Sequence, residues 1–430
     1  MGRTASRVGA LLFLTSLALP AQTLEVVPSR VLVDEQATIR ATGLQPNERV
    51  TIRAELLDGA DERWTSHAEF LADAQGAIDT SKQSPASGSY KEVSAMGLVW
   101  SMTPSSRNLG RYVPPRNAQA IDFRLERGKN EIATAKLEQV FIADGIQRVE
   151  LHDGSLRGRL FLPKGSGPHP AVLVLGGSEG GLPSLRAAWL ASHGFAALAL
   201  AYFGYDDLPH DLAGIPLEYF GQALTWMSHR PEIVSDHMAV LGTSRGGELA
   251  LQLATMYPIL KATVAYVPAN VRYPACCGFT PVPYAWSWTG KALGFRPLRP
   301  NPSQDGLVLR STIEVEYMHG PVLLISGSDD RVWDSSAMAD VIVSRLKQHH
   351  FAYDVESLKY AHAGHAAGRP EIVPAWQGVT TNQKSGREVS LGGTPKGNAD
   401  SSIDAIPKVI DFLQRNLSLR NVSAHDPNAK

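Results

Sequence analysis

Ser244 stands in the run Gly242-Thr243-Ser244-Arg245-Gly246-Gly247, directly after the apolar stretch Met238-Ala239-Val240-Leu241 and ahead of a helical pattern from Glu248 to Leu253. A G-x-S-x-G motif in that setting is a nucleophile elbow. A buried strand turns sharply into a helix, and the serine at the tip takes a strained backbone conformation that lifts its hydroxyl clear of the sheet. Only small residues fit two places to either side, which Gly242 and Gly246 supply. A serine hydroxyl is a poor nucleophile at neutral pH and needs a base to take its proton as it attacks. In a chain built this way the order is serine, then acid, then histidine, with the later two on loops at the carboxyl ends of later strands.

That order directs the search. After the apolar run Pro321 to Ser326 comes Gly327-Ser328-Asp329-Asp330-Arg331-Val332-Trp333, and the turn glycine followed by a carboxylate marks the acid. Asp330 is the candidate and Asp329 its competitor; the plainer reading of either is an exposed turn aspartate. Further on, Tyr360-Ala361-His362-Ala363-Gly364-His365 surrounds two histidines with small residues that let a loop carry an imidazole over the sheet. His365 is the candidate base and His362 the alternative. The chain has 13 histidines, so position in the order decides more than residue type. An oxyanion hole needs two amides. Arg245, at the start of the new helix, offers one, and Gly177 or Ser178 in Gly176-Gly177-Ser178-Glu179-Gly180-Gly181 offers the other. A phosphate cradle is the rival reading of that loop, but no Lys-Ser/Thr pair follows it. Such a constellation needs neither a cofactor nor a metal.

The surrounding pattern says what must hold these residues. Runs at Ala171 to Leu175, Ala196 to Ala201, Met238 to Leu241, Ala262 to Val267 and Val322 to Ser326 are too continuous for an exposed sheet. Helical segments such as Leu217 to Ser228 and Gly247 to Met256 separate most of them. That alternation predicts an α/β fold with a mostly parallel, doubly wound sheet covered on both faces. A hairpin around Asp153-Gly154 opens it, and a helix with Ile403, Ile406, Ile410 and Leu413 on one stripe closes a flank. Ahead of it, Leu24 to about Ala143 shows short alternating runs broken by Gly43, Pro46, Gly59, Gly76 and Gly88. This predicts an all-β, immunoglobulin-like sandwich. The expected organisation is 1–21 as a signal peptide, 22–143 as the sandwich, 144–419 as the catalytic domain and 420–430 as a tail. Between about 268 and 312 the alternation lapses into a Pro- and Gly-rich stretch. It carries Tyr273, Phe279, Tyr284, Trp286 and Trp288, and a long irregular insertion after a core strand is usually a lid or binding loop. The alternative is a surface excursion packed by its own aromatics. As a lid it would bring Tyr273, Phe279, Trp286 and Trp288 to an apolar acyl pocket.

Composition sets the outer limits. The chain has 430 residues, 43% hydrophobic and 19% charged, with a net charge of −1. There is no basic field to gather nucleic acid or an acidic membrane surface, so neither is an expected partner. Arg3 and Arg7 lead an apolar stretch from Val8 to Leu19 that ends at Pro20-Ala21, the layout of an export signal. The stretch is short for a membrane span. The mature chain is therefore expected to begin near Gln22 and to work outside the cytoplasm, with no span left after cleavage. The two cysteines, Cys276 and Cys277, are adjacent, which rules out a long-range disulfide within the chain. They read as two free, partly buried thiols, because a bond between neighbours closes a strained ring.

The chain resembles the acyl-CoA thioester hydrolase and bile acid-CoA:amino acid N-acyltransferase family over nearly its whole mature length. The stretches that carry the resemblance are Gly176 to Gly181, Leu198-Ala199-Leu200-Ala201-Tyr202-Phe203, Pro216-Leu217-Glu218-Tyr219-Phe220, Gly242 to Leu249, Gly327 to Asp330 with Trp333, and Ala363-Gly364-His365. In the first domain Leu32-Val33-Asp34-Glu35 and Met96-Gly97-Leu98-Val99-Trp100 are similar too. The resemblance implies an α/β-hydrolase fold behind the sandwich, and a triad of Ser244, Asp330 and His365. It implies a small-molecule acyl ester or thioester as substrate. The transferase branch of that family has a cysteine nucleophile, whereas this chain has serine, which favours release of the acyl group to water. The alternatives are an acyltransferase handing the group to an amine or alcohol, and a secreted binding protein on a hydrolase scaffold.

Overall fold

The computed structural model describes residues 21–106, 111–278, 280–296, 310–377, 379–381 and 388–417. Residues 1–20 of the expected signal segment, the tail and Phe279 lie outside them.

Among the described residues the N-terminal part is all β apart from a helical turn at Gly97–Trp100. Strands Arg49–Leu57 and Arg63–Leu71 each alternate buried and exposed residues along their full length. They pair antiparallel with each other, and Arg49–Leu57 pairs also with Ala118–Arg127. Period-two burial is what a sheet with one wet face requires. A second, three-stranded sheet is built from Thr23–Val27, Thr38–Thr42 and Ile78–Asp79. Ile39 and Val26 of the small sheet share one apolar core with Ile52, Phe70 and Phe123 of the large one. That is a sandwich.

The second part is an eight-stranded sheet. Its strands are β1 (Gln147–Asp153), β2 (Leu156–Leu162), β3 (His169–Leu175), β4 (Ala196–Ala201), β5 (Ile233–Thr243), β6 (Leu260–Tyr266), β7 (Val322–Gly327) and β8 (Val355–Tyr360). Their order across the sheet is β1-β2-β4-β3-β5-β6-β7-β8. All neighbours from β4 to β8 run parallel, and β2 is antiparallel to both of its neighbours. β4 is buried along its whole length, as are Ala171 to Leu175 of β3. Both faces are covered, so these strands read as continuous apolar runs rather than as alternation. The covering helices are α1 (Ser184–Ser192), α2 (Glu218–Ser228), α3 (Arg245–Ala254), α4 (Ser335–Gln348) and α5 (Pro395–Leu417).

The two parts are joined by contacts specific enough to set their orientation. Asp34 of the sandwich is buried and accepts hydrogen bonds from the Trp189 indole at 3.0 Å and from His193 at 2.7 Å, the first on α1 and the second just after it. The amide of Ile372 donates to the Val33 carbonyl at 2.8 Å, and that of Ala375 to the Trp100 carbonyl at 3.0 Å. The buried apolar residues of the sandwich, of α1 and of α5 form one continuous cluster.

The described residues of the segment after β6 are stitched down by short pairings. Trp286–Trp288 pairs with Ile215–Pro216 and with Lys291–Ala292. Isolated bridges join Leu212 to Cys276, Pro274 to Tyr284 and Val271 to Thr312. One expectation is overturned here: Cys276 and Cys277 are not free thiols but are bonded to each other. Cys277 takes a positive φ of 83°, a conformation that changes how neighbouring side chains are presented and that sequence spacing does not disclose.

Candidate active site

The elbow is built by exclusion of side chains. A Cβ on Gly242 would lie 1.9 Å from the Gly246 carbonyl oxygen, and one on Gly246 would lie 2.3 Å from that of Gly176. Nothing larger than glycine lets the end of β5, the start of α3 and the loop after β3 meet. Ser244 is held between them at φ 57° and ψ −119°, a conformation that costs a non-glycine residue roughly 1–3 kcal/mol. Its neighbour Thr243 is pinned by a hydrogen bond from the Arg186 guanidinium, which lies over the Tyr266 ring at 4.6 Å.

The loops after β7 and β8 bring the other two residues in. Ser244 Oγ lies 2.8 Å from His365 Nε2, and His365 Nδ1 lies 2.8 Å from Asp330 Oδ2. The Asp330 side chain is fully buried and that of His365 nearly so. Asp330 Oδ1 accepts the amides of Val332 at 2.9 Å and Trp333 at 3.2 Å, so the carboxylate is aimed by its own turn. An acceptor-only carboxylate facing Nδ1 places the imidazole proton there. Nε2 is then left with a lone pair toward the serine hydroxyl.

The competing residues go elsewhere. Asp329 bonds Arg331 at 2.6 Å and the Gly393 amide at 3.1 Å, and the Arg331 bond holds its carboxyl below the ordinary value. His362 is exposed, with φ 58°. The glycine before His365 is required: a Cβ on Gly364 would lie 2.3 Å from Gly392. Asn398, on α5, accepts the Gly364 amide at 2.9 Å through Oδ1. It fixes the histidine loop from behind, a role with no signal in the sequence.

Of the two oxyanion regions, Arg245 is the first residue of α3, where amides have no partner within the helix. Gly177 lies against the nucleophile: a Cβ there would be 3.3 Å from Ser244 Cβ. Ser178 is exposed beside it. Tyr202, not singled out as a site residue from sequence, donates its hydroxyl to the Gly176 carbonyl at 2.7 Å and holds that loop; burial raises its phenol pKa far above the ordinary range.

The aromatics of the insertion divide. Tyr273 stacks on Trp333 with ring centroids 5.1 Å apart, and Trp333 meets His365 edge-on at 5.3 Å. Those two form a wall beside the base. Trp333 had only the Asp-Asp-x-x-Trp pattern to mark it. Trp286, expected at the substrate, is instead 1% exposed, with its indole donating to the buried Glu248 carboxylate at 2.6 Å. Trp288 packs edge-on against Tyr257 at 6.4 Å. The reason for Trp286 is a buried ion pair. Arg245 Nε lies 3.1 Å from Glu248 Oε2, and the same guanidinium donates to the carbonyls of Pro274 at 2.8 Å and Tyr273 at 3.1 Å. This network ties the insertion to α3 directly behind Ser244, and it consumes the charge of Arg245. A groove of about 1000 Å³ lies away from this chemistry, between the β1–β2 turn, α2 and Tyr257. Among the described residues no cluster of metal-ligating side chains occurs, and no helix is long and apolar enough to cross a membrane.

A strand-to-helix elbow, a histidine and a buried carboxylate at the carboxyl edge of a sheet ordered in this way define an α/β-hydrolase carrying an N-terminal β-sandwich. Two family models match the chain. Residues 34–153 match the acyl-CoA thioester hydrolase/BAAT N-terminal region, and residues 215–281 and 295–419 match the BAAT/acyl-CoA thioester hydrolase C-terminal region. The chain is 33% identical to mouse acyl-coenzyme A thioesterase 6 over 94% of its own length and 99% of that protein. It is 32% identical to the mitochondrial acyl-coenzyme A thioesterase 2 of rat, over 94% of its own length and 91% of that chain. It is also 32% identical to mouse acyl-coenzyme A amino acid N-acyltransferase 1, over 91% of its own length and 96% of that protein. A solved structure from Klebsiella pneumoniae, described as a putative dienelactone hydrolase, overlaps 63% of this chain and 98% of its own with a TM-score of 0.40 and 14% identity. The chain belongs to the acyl-CoA thioester hydrolase/BAAT family, and it is an enzyme of the acyl thioester or ester hydrolase kind.

Proposed function

We propose that this protein is an exported, serine-dependent acyl hydrolase that works through an acyl-enzyme on Ser244. The observation that carries the reading is the unbroken line from Ser244 Oγ through His365 to the buried Asp330, with both contacts at 2.8 Å. His365 Nε2 takes the hydroxyl proton as Oγ adds to the acyl carbonyl. The tetrahedral oxyanion sits on the amides of Arg245 and Gly177. Collapse expels the thiolate or alkoxide, which collects the proton from His365, and a water then repeats the cycle to free the acid. Tyr273 and Trp333 supply an apolar flank for the acyl group.

Export rests on the Arg3, Arg7 and Val8-to-Leu19 layout. Acyl-CoA is a cytosolic metabolite, so an exported enzyme meets other acyl esters or thioesters. The arginine beside the nucleophile is spent on Glu248 and so is not offered to the phosphates of CoA. The expected result is a higher kcat/KM for one acyl group on nitrophenol or a small thiol than on CoA. A hundredfold preference for CoA, with an uncleaved N-terminus in the native host, would overturn both the leaving-group and the export readings. Transfer to an amine is the second reading, favoured by the N-acyltransferase relative. It predicts that added amino acid diverts most of the acyl product from free acid to amide. A fluorophosphonate probe tests the serine itself, since only an activated serine labels. Labelling of the wild type and its loss in Ser244→Ala is the expected pair.

A further inference from the structure

The Gly177 amide, one of the two expected oxyanion donors, is already bonded by one of the chain's own side chains. Glu179, two residues beyond Gly177, turns its carboxylate back so that Oε1 accepts the Gly177 amide at 3.2 Å. A Cβ on Gly177 would lie 2.7 Å from Glu179 Oε2 and 3.3 Å from Ser244 Cβ, so carboxylate and nucleophile flank one point. The loop is shaped for this reach-back. Gly180 and Gly181 take φ of 69° and 73°, and the Gly181 amide is tied to the Phe203 carbonyl at 3.0 Å. Glu179 is exposed and so free to leave. Arg111, from the sandwich, lies within electrostatic reach of both Glu179 and Arg369.

A carboxylate is a stronger acceptor for an amide than a neutral ester or thioester carbonyl is. In the free enzyme the Gly177 donor is therefore taken, and a substrate carbonyl must displace a charge to reach it. We propose that Glu179 is a displaceable cap on the oxyanion hole, covering the Gly177 amide in the free enzyme and swinging toward Arg111 as the acyl carbonyl arrives. This rests on the serine-hydrolase reading, because only there is the Gly177 amide an oxyanion donor. The cap has two opposite effects. It lowers the apparent substrate affinity in proportion to the uncapped fraction that remains. It also clears the product, since the acid leaves as a carboxylate that would compete for the same amide and is repelled by Glu179. Glu179 is thus a specificity residue that disfavours anions at the reacting centre.

The experiment compares wild type, Glu179→Gln and Glu179→Ala with nitrophenyl butyrate as substrate and butyrate as product inhibitor. The expected result for Glu179→Ala is a KM lowered roughly three- to tenfold, kcat equal or higher, and an inhibition constant for butyrate lowered at least as far. Glu179→Gln should fall between, because its amide oxygen keeps the shape of the cap without the charge. A merely structural loop residue gives the reverse, a lowered kcat with KM raised or unchanged, and that result overturns the cap. Unchanged KM and unchanged butyrate inhibition overturn it too. Fluorophosphonate labelling of all three proteins separates the two levels. Labelling throughout with unchanged KM removes the cap alone, whereas an unlabelled wild type removes the serine reading and the cap with it.

Discussion

Asp330→Asn isolates the part of the site that the protein interior controls most tightly. Asp330 Oδ1 is occupied by the amides of Val332 and Trp333, and Oδ2 faces His365 Nδ1 at 2.8 Å. Asparagine has one acceptor oxygen and one donor nitrogen. Two backbone donors converge on the Oδ1 position, so the asparagine oxygen must stay there and its NH2 must face the imidazole. A donor facing Nδ1 requires that nitrogen to be unprotonated, which moves the ring proton to Nε2. The base then points a hydrogen at the serine hydroxyl and cannot take its proton. The expected loss in kcat is about 10⁴-fold, or about 5 kcal/mol of transition-state stabilisation. The fold should lose only about 1–3 kcal/mol, the weight of one hydrogen bond to a charged group. Asp329→Asn is the control, because Asp329 bonds Arg331 and Gly393 at the surface side of the same turn. Its cost should stay under about tenfold in rate, since exposed pairs contribute little. The assay is steady-state hydrolysis of nitrophenyl butyrate, with thermal melts to check folding. Retention of more than about a tenth of wild-type kcat by Asp330→Asn, or an equal loss in Asp329→Asn, would refute the tautomer argument.

Two further perturbations test other parts of the structure. Ser244→Gly should abolish turnover yet stabilise the protein by about 1 kcal/mol, because φ 57° and ψ −119° are accessible to glycine without strain; Ser244→Ala should be equally inactive with no such gain, and calorimetry reads the difference. Glu316 is buried in a bidentate pair with Arg345. Burial pushes its carboxyl up, but the guanidinium more than offsets this and holds it below the ordinary 4.5. A depressed folded value means the contribution is full above 4.5 and is lost as pH falls through that depressed value. Glu316→Gln should therefore be less stable than wild type by about 1–2 kcal/mol at neutral pH, with the gap closing in denaturant melts as the pH falls below 4.5 and through the depressed value. A gap that persists in acid would mean the pair is not its source.

Much of this molecule was legible along the chain because its signals are local. Continuous apolar runs mark strands covered on both faces, and the run Ala196 to Ala201 is β4 itself. Gly242 and Gly246 flag the elbow because steric exclusion acts within a few residues. The order Ser244, Asp330, His365 follows from the direction in which parallel strands deliver their loops. What the sequence left open were matters of aim. Asp329 and Asp330 are chemically identical neighbours, and only the amides of Val332 and Trp333 distinguish them. Trp286 carries an aromatic ring suited to a pocket, yet a buried Glu248 some forty positions earlier needs a donor and takes it. Cys276 and Cys277 read as free thiols along the chain, whereas the structure bonds them to each other, with Cys277 at positive φ.

By itself, then, the sequence determined the fold class, the family and the kinds of group available for acyl chemistry, because strand periodicity, turn glycines and chain order are written in neighbouring residues. The tertiary structure decided which carboxylate faces the imidazole, which aromatic rings wall the site, and that Asn398 and Tyr202 hold its loops. Those assignments depend on which donors and acceptors meet across separate strands and helices, and one-dimensional spacing contains no record of that.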